Sequence, residues 1–351
     1  MIQCQLKLRL NTSQEKSLND WLWMLTGVWN WAVLQIGRDA TDKIYYSEKE
    51  FHNLLANHGT KMGVPSHTLQ GMLALAHLAW KRCCKKLAKR PRLRGNGNRL
   101  NSIPFPDAIR PAKGNHIAVP GLGSVRFQRM EIPAGKIKCG RIVKRAAGWY
   151  LCLFVAAEPK PIPHVSEKRV GIDPGFSSLL TIAESLEKFE KVDHPRELER
   201  LANRLAQAQR GHAKVLGSRI QERIANQRKD RNPKLSRRLV AQNFLIAFSA
   251  DEHAKVAHKL GNSVASSGHA QLRSQLNYKS RAGGREYSEV SSKFSTVTCS
   301  DCGRLSGPTG LAGLSVRQWR CSGCGSHNDR DVNAAVNTLH AAFGTNVERA
   351  A

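Results

Sequence analysis

Cys299-Ser-Asp-Cys302 and Cys321-Ser-Gly-Cys324 stand eighteen residues apart, and Asp329-Arg-Asp331-Val-Asn333-Ala-Ala comes shortly after the second pair. Two C-x2-C pairs suit a tetrahedral ion, because each short loop turns both thiolates toward a common centre. A redox dithiol would need only one pair. Cys299, Cys302, Cys321 and Cys324 are therefore expected to hold a structural zinc ion in a ribbon. The acid that follows, Asp331, opens a helix, so the ribbon delivers a carboxylate to a helix start. That pairing points to a metal-dependent nucleic-acid site.

The bulk of the chain agrees. Its 351 residues suffice for two or three domains, and 41% are hydrophobic. Lys and Arg number 55 against 27 acids, a formal net charge of +28. Self-repulsion of that size destabilises a compact state unless a polyanion offsets it, so nucleic acid is the expected partner. No run of apolar residues is long enough to span a bilayer. Met1-Ile-Gln-Cys-Gln-Leu-Lys-Leu-Arg-Leu alternates like a strand and does not resemble a signal peptide. With five further cysteines at no partner spacing, a reducing bacterial cytoplasm, at the nucleoid when bound, is the expected compartment.

The punctuation of the chain divides it. A strand over 2–10 leads to a helix capped by Thr12 or Ser13, with four tryptophans between 21 and 31. That number exceeds one narrow core stripe; the residues either pack or offer a platform for stacking bases. Helices around 47–56 and 66–90 follow, the last stopped by Pro91. Nine cations and no acid fill residues 81–99, namely Lys81, Arg82, Lys85, Lys86, Lys89, Arg90, Arg92, Arg94 and Arg99. Phosphate contact accounts for such a run better than a solvated helix end does. Short strands between 103 and 157 suggest a small β-barrel that the first strand joins. Pro159-Lys-Pro-Ile-Pro-His164 is a stiff linker. Beyond it lie strands at Arg169–Gly175, Leu179–Ala183 and Asn243–Phe248. A basic helical stretch over 195–242 carries Arg200, Arg204, Arg210, Arg219 and Arg223. A helix over 254–282, a strand at Glu286–Val290, the ribbon and a terminal helix complete the chain.

Val170-Gly-Ile-Asp173-Pro-Gly175 ends an apolar strand in a carboxylate. Alone it is ambiguous, since Asp-Pro-Gly is a common turn. Together with the ribbon, Val316-Arg-Gln-Trp319, His327-Asn-Asp-Arg-Asp331-Val-Asn-Ala-Ala335, Ser263–Leu272 and Leu276-Asn-Tyr-Lys279, it resembles the TnpB family. These are transposon-encoded, RNA-guided DNA nucleases ancestral to type V CRISPR effectors. The resemblance implies an α+β multidomain fold. A helical recognition region (11–99) would be set into a β-barrel wedge domain (1–10 and 100–160). An RNase H-like, RuvC-type α/β domain (161–298 and 325–351) would carry the zinc ribbon (299–324).

In such a domain three acids hold two Mg2+ ions. Asp173 matches the first acid and Asp331 the last. The second, a glutamate, has two placements in the family. One ends the middle strand, where this chain has Ser249, followed by Asp251 and Glu252. The other lies seven residues before the first zinc cysteine, where it has Ser292, the better match by its flanks. Neither position carries an acid. The resemblance thus implies an RNA-guided DNA-binding protein with vestigial acids at Asp173 and Asp331 and Mg2+ weak or unused. The family's nuclease-dead repressors, which act by target occupancy, are the nearest type. Its partners would be a guide RNA and a double-stranded DNA target with a short adjacent motif, one monomer per guide RNA. Two alternatives stay open: an active or nicking nuclease whose acid comes from Asp251, Glu252 or Glu289, and an unguided zinc-ribbon DNA-binding factor.

Overall fold

Strand β1 (Ile2–Arg9) keeps the alternation of its sequence, with Cys4, Leu6 and Leu8 buried. The computed structural model describes residues 1–344 apart from 57, 96–97, 108, 159–160, 164–166, 176–177, 251–267, 310–312 and 314. The chain forms two units, Met1–Lys160 and Pro161–Ala351, divided within the proline-rich linker.

In the first unit β1 pairs antiparallel with β5 (Gly123–Phe127) and β7 (Gly148–Ala156). With β2 (Ser102–Phe105), β3 (Arg110–Pro111), β4 (His116–Val119) and β6 (Lys136–Arg145) they form one sheet in the order β2-β6-β7-β1-β5-β4-β3. Among the described residues β2 and β3 do not pair, so the expected barrel is not closed. The two-residue β3 includes Pro111, which has no N–H to offer a further strand.

The helices between β1 and β2 are α1 (Thr12–Thr41), α2 (Glu48–Asn53), α3 (His58–Met62) and α4 (Ser66–Cys84). The cap of α1 is Asn11, not Thr12 or Ser13. Its side chain accepts from Gln14 N at 2.8 Å and Gln14 reaches back to Asn11 N, a capping box. Leu18, Trp21, Leu22, Leu25, Val28 and Ala32 then form a buried stripe that joins Leu69, Met72, Leu73 and Ala76 of α4 in the core. Helix α4 ends at Cys84, well before Pro91. Cations three and four residues apart with no acid between them disfavour another turn, and Lys86 already has φ 58°.

The second unit is built on a five-stranded sheet in the order β10-β9-β8-β11-β12. Here β8 is Arg169–Pro174, β9 Leu180–Ala183, β10 Phe189–Val192, β11 Leu245–Ala250 and β12 Glu286–Ser291. The first three form an antiparallel meander, and β11 pairs parallel with both β8 and β12. Strand β10, with three exposed residues of four, was not foreseen.

The basic stretch expected as one helix is two, α5 (Arg196–Arg210) and α6 (Lys214–Gln242). Gly211 and His212, the latter at φ 53°, turn the chain between them. Leu198, Leu201, Leu205 and Ala208 pack on Ile220 and Ile224 in a small core of their own. Helix α7 (His269–Ala282) starts behind Gly268, whose φ of 75° is left-handed, and so does not run unbroken from the expected start at 254; the expected residues 254–267 lie outside the described residues. A hairpin of β13 (Gln318–Arg320) and β14 (His327–Asp329) leads into α8 (Arg330–Phe343). Among the described residues no helix is long and apolar enough to cross a membrane.

Candidate functional site

Paired residues of neighbouring strands place their side chains on the same face of a sheet. Leu245–Phe248 pair with Arg169–Ile172, so the next residue of β11, Ser249, stands beside Asp173. On its other side Ser249 pairs with Val290, and Ala250 with Ser291. Asp173 pairs with Thr181, and Thr181 with Lys191. Asp173, Ser249, Thr181, Lys191 and Val290 therefore share one face.

Gly171 shows what covers that face. A Cβ there would lie 1.8 Å from the carbonyl oxygen of Ala335, so α8 rests directly on β8 and only glycine fits beneath it. The ion pair from Lys191 Nζ to Asp329 Oδ2, 2.8 Å, sets the N-terminus of α8 at the level of Asp173. Asp329 caps that helix by accepting from the amides of Asp331 and Val332, each at 3.1 Å. Asp331 follows in the first turn with its side chain 18% exposed, and Arg317 Nη1 lies 3.5 Å from its Oδ1. The fold thus brings Asp173, Ser249 and Asp331 to one end of one face.

The other positions singled out in the sequence separate clearly. Ser249 is fully buried, and its hydroxyl has no hydrogen-bond partner among the described residues. Ser292 lies just past β12, half-buried, and its carbonyl accepts from Ser295 N at 3.1 Å and Ser295 Oγ at 2.9 Å. Two residues beyond Val290, it continues toward the α8 side. Glu289 alternates to the opposite face. There Tyr287 donates to it at 3.1 Å, and Arg273 of α7 lies 3.8 Å away. Burial raises the Tyr287 phenol, which keeps it a donor to that carboxylate. Asp251 and Glu252 lie outside the described residues.

The four cysteines converge. Cys299 Sγ lies 3.7 Å from Cys324 Sγ, Cys302 Sγ lies 3.5 Å from Cys321 Sγ, and all four sulfurs are within 4.8 Å of one another. A tetrahedron with Zn–S bonds near 2.3 Å has edges of about 3.8 Å, so the donor set fits zinc. The Ser306 hydroxyl donates to Cys321 Sγ at 3.1 Å and holds that thiol well below its ordinary value, which favours the thiolate a metal needs.

One residue with no assigned role connects the two centres. Asn333, fully buried in α8, accepts from Ser300 N at 2.9 Å and donates to the carbonyls of Ser295 (3.1 Å) and Thr298 (2.8 Å). Asn337 donates to the same two carbonyls at 2.8 and 2.7 Å. Two asparagines four apart, set among the alanines and valines of this helix, were the available signal. Asn333→Ala leaves the Ser300 amide buried and unpaired, and should cost about 2–4 kcal/mol in urea unfolding. Asn337→Ala should cost about 1 kcal/mol, because Asn333 still serves both carbonyls.

The basic residues lie on both units. Lys81 and Arg82 close α4; Lys85, Lys86, Lys89, Arg90 and Arg92 are exposed on the segment after it, and Arg94 is half-buried. The Arg90 guanidinium sits 5.2 Å over Trp80, and that of Arg94 5.9 Å over Trp29. Arg200, Arg204 and Arg210 of α5 and Arg219 and Arg223 of α6 are exposed, with Arg223 paired to Glu197 at 2.7 Å.

Comparison with known proteins bears on this architecture. The Cas12f1-like TNB domain profile matches residues 269–338, which span α7, β12, the ribbon and the first turns of α8. A candidate RNA-guided DNA endonuclease of Streptomyces pristinaespiralis is 35% identical over 215 residues, 56% of this chain and 50% of that protein. InsQ of Escherichia coli, described in the same way, is 24% identical over 307 residues, 79% of this chain and 74% of its own. By these matches the chain is similar to the TnpB family. A TnpB-like protein of Acanthamoeba polyphaga mimivirus is 23% identical over 214 residues, 54% of this chain and 40% of that one. The chain thus matches half the length of the Streptomyces relative. A solved Cas12f1–sgRNA–target DNA complex aligns over 97% of this chain and 99% of its own with a TM-score of 0.40 and 14% identity.

Proposed function

We propose that this TnpB-like protein binds DNA under the direction of a guide RNA and no longer cuts it, acting as a repressor by occupying its target. The observation that carries this reading is Ser249 in register beside Asp173. On the face that holds both remaining acids, a neutral hydroxyl stands where a carboxylate would complete the set. Ser292, the second placement, is neutral too. A two-ion site needs carboxylates enough to hold both ions, and among the described residues Asp173 with Asp331 does not meet that need. Arg317 beside Asp331 and Lys191 on Asp329 further offset the negative charge that would attract a divalent cation.

The rest of the molecule keeps what binding requires. The four cysteines suit zinc, and the surface keeps its cations. In this reading the helices of the first unit and its sheet serve as recognition and wedge regions, and the second unit as a RuvC-like scaffold with its ribbon. The relatives' description as RNA-guided enzymes favours guide RNA and target DNA as partners. The protein would grip phosphates, while base pairing reads the sequence.

RNA copurifying with the protein should be one structured species whose end matches a promoter-proximal DNA. Purified complex with Mg2+ should bind that DNA and leave it intact; cleavage by the wild type would overturn the reading, and absence of RNA would favour the unguided factor. Replacing Lys85, Lys86, Lys89 and Arg92 together by Gln should lower the slope of log affinity against log salt by about 3. An unchanged slope would remove that segment from the interface.

A further inference from the structure

Helix α1 turns one face away from the core stripe. Trp23, Gly27 and Asn30 recur there at helical spacing, and Trp23 is 66% exposed, while Trp31 beside them stacks on buried Phe51 at the edge of the core. With Arg94 and Arg99 they line a largely apolar cavity of about 590 Å³, within the range of small-molecule sites.

Two features show that the cavity is built. Gly27 lies in the middle of a long helix, where glycine costs about 1 kcal/mol against alanine. A Cβ at that position would meet nothing within 4 Å, so the packing of the chain itself does not require glycine. Its effect is to leave the floor beside the Trp23 indole open. The rim is also fixed by α1. Asn30 Nδ2 donates to the Arg94 carbonyl at 2.8 Å and Asn30 Oδ1 accepts from the Arg94 amide at 2.7 Å. Trp29 Nε1 donates to the Arg92 carbonyl at 3.0 Å. The helix thus holds a cationic segment along the edge of an aromatic hollow before any ligand arrives.

We propose that this cavity receives an unpaired nucleobase of a nucleic-acid strand, stacked on Trp23, with the adjoining phosphates along Arg92, Arg94 and Arg99. Flat aromatic floor and guanidinium rim match the two halves of a nucleotide. A wholly apolar occupant would leave the rim unused, and the chain's charge of +28 favours an anionic one. Any base offers a π-face, so the site would hold a splayed base without reading its identity. The inference rests on the proposed nucleic-acid binding for the polymer class, and not on guidance or on loss of cleavage.

The test measures anisotropy of labelled eight-nucleotide strands, oligo-dT and oligo-rU, against abasic strands of equal length, with the purified full-length protein. The base-bearing strands should bind about 5- to 150-fold tighter than the abasic ones. Trp23→Ala, which removes the floor, and Gly27→Leu, which fills the hollow, should each reduce that preference to less than twofold. Gly27→Ala should retain it, and thermal melts matching the wild type would exclude misfolding. Binding of both strands with no base preference overturns the pocket alone. Failure to bind either strand overturns the pocket and the nucleic-acid reading together. A Trp23→Ala effect seen only as dissociation of a dimer in mass photometry would make this a protein interface and overturn the proposal.

Discussion

Ser292→Glu should confer Mg2+-dependent cleavage of a matched target, about 10²–10⁴-fold above the wild type. That range follows from the several kilocalories by which a bound metal ion stabilises charge in the transition state. The position has what a long carboxylate needs. It lies just past the end of β12, half-buried, two residues beyond Val290, which pairs with Ser249. A half-buried position at a strand end accepts a longer side chain at less cost than a fully buried one. Ser249→Glu is the companion variant, beside Asp173 itself. There the added atoms enter a fully buried site, so a lowered melting temperature should accompany any activity, with about 1–3 kcal/mol lost to overpacking. Adding Arg317→Ala to Ser292→Glu should raise activity further, because the guanidinium 3.5 Å from Asp331 competes with the incoming ion. The measurement is nicking of a supercoiled plasmid that carries the site matched by the copurifying RNA. If both glutamate variants bind target and neither nicks it, the absent acid is not what limits this site.

How far the sequence led differs from element to element. Val170-Gly-Ile-Asp173 was legible because a short apolar run ending in an acid before Pro-Gly carries its own boundaries, and the cysteine spacing likewise describes its own geometry. The register between strands is another matter. That Ser249 stands beside Asp173 depends on pairing across more than seventy residues, which no local pattern encodes. Strand β10 was invisible because three of its four residues are exposed and it lacks an apolar alternation. The barrel was overdrawn, since strand count alone says nothing about closure and Pro111 ends one edge. Gly171 and Asn333 were in the quoted motifs, yet their reasons are tertiary: one lets α8 lie on β8, the other ties the approach to the ribbon to that helix.

Removing zinc should unfold residues 299–326 and leave the first unit folded. A hairpin of two three-residue strands is marginal in water by itself. Among the described residues, none of the four buried apolar clusters draws a member from this segment. A metal held by the four thiols would thus be the ribbon's core, and its binding free energy would be folding free energy, about 10–16 kcal/mol in small zinc-finger peptides at neutral pH. Elemental analysis should find one zinc per chain, and each of Cys299→Ser, Cys302→Ser, Cys321→Ser and Cys324→Ser should abolish it. Chelation should change the fluorescence of Trp319, on β13, and expose the ribbon to protease. Helix α8 should persist, because it packs on β8 and β11 independently of the ion, but its link to the ribbon through Ser300 and Asn333 should loosen. The guided binding proposed above should then weaken while unguided, charge-driven affinity for single strands survives, since the cations of residues 81–94 lie in the other unit. Full retention of the ribbon's protease resistance after zinc is stripped would show that the four thiols are held by packing alone.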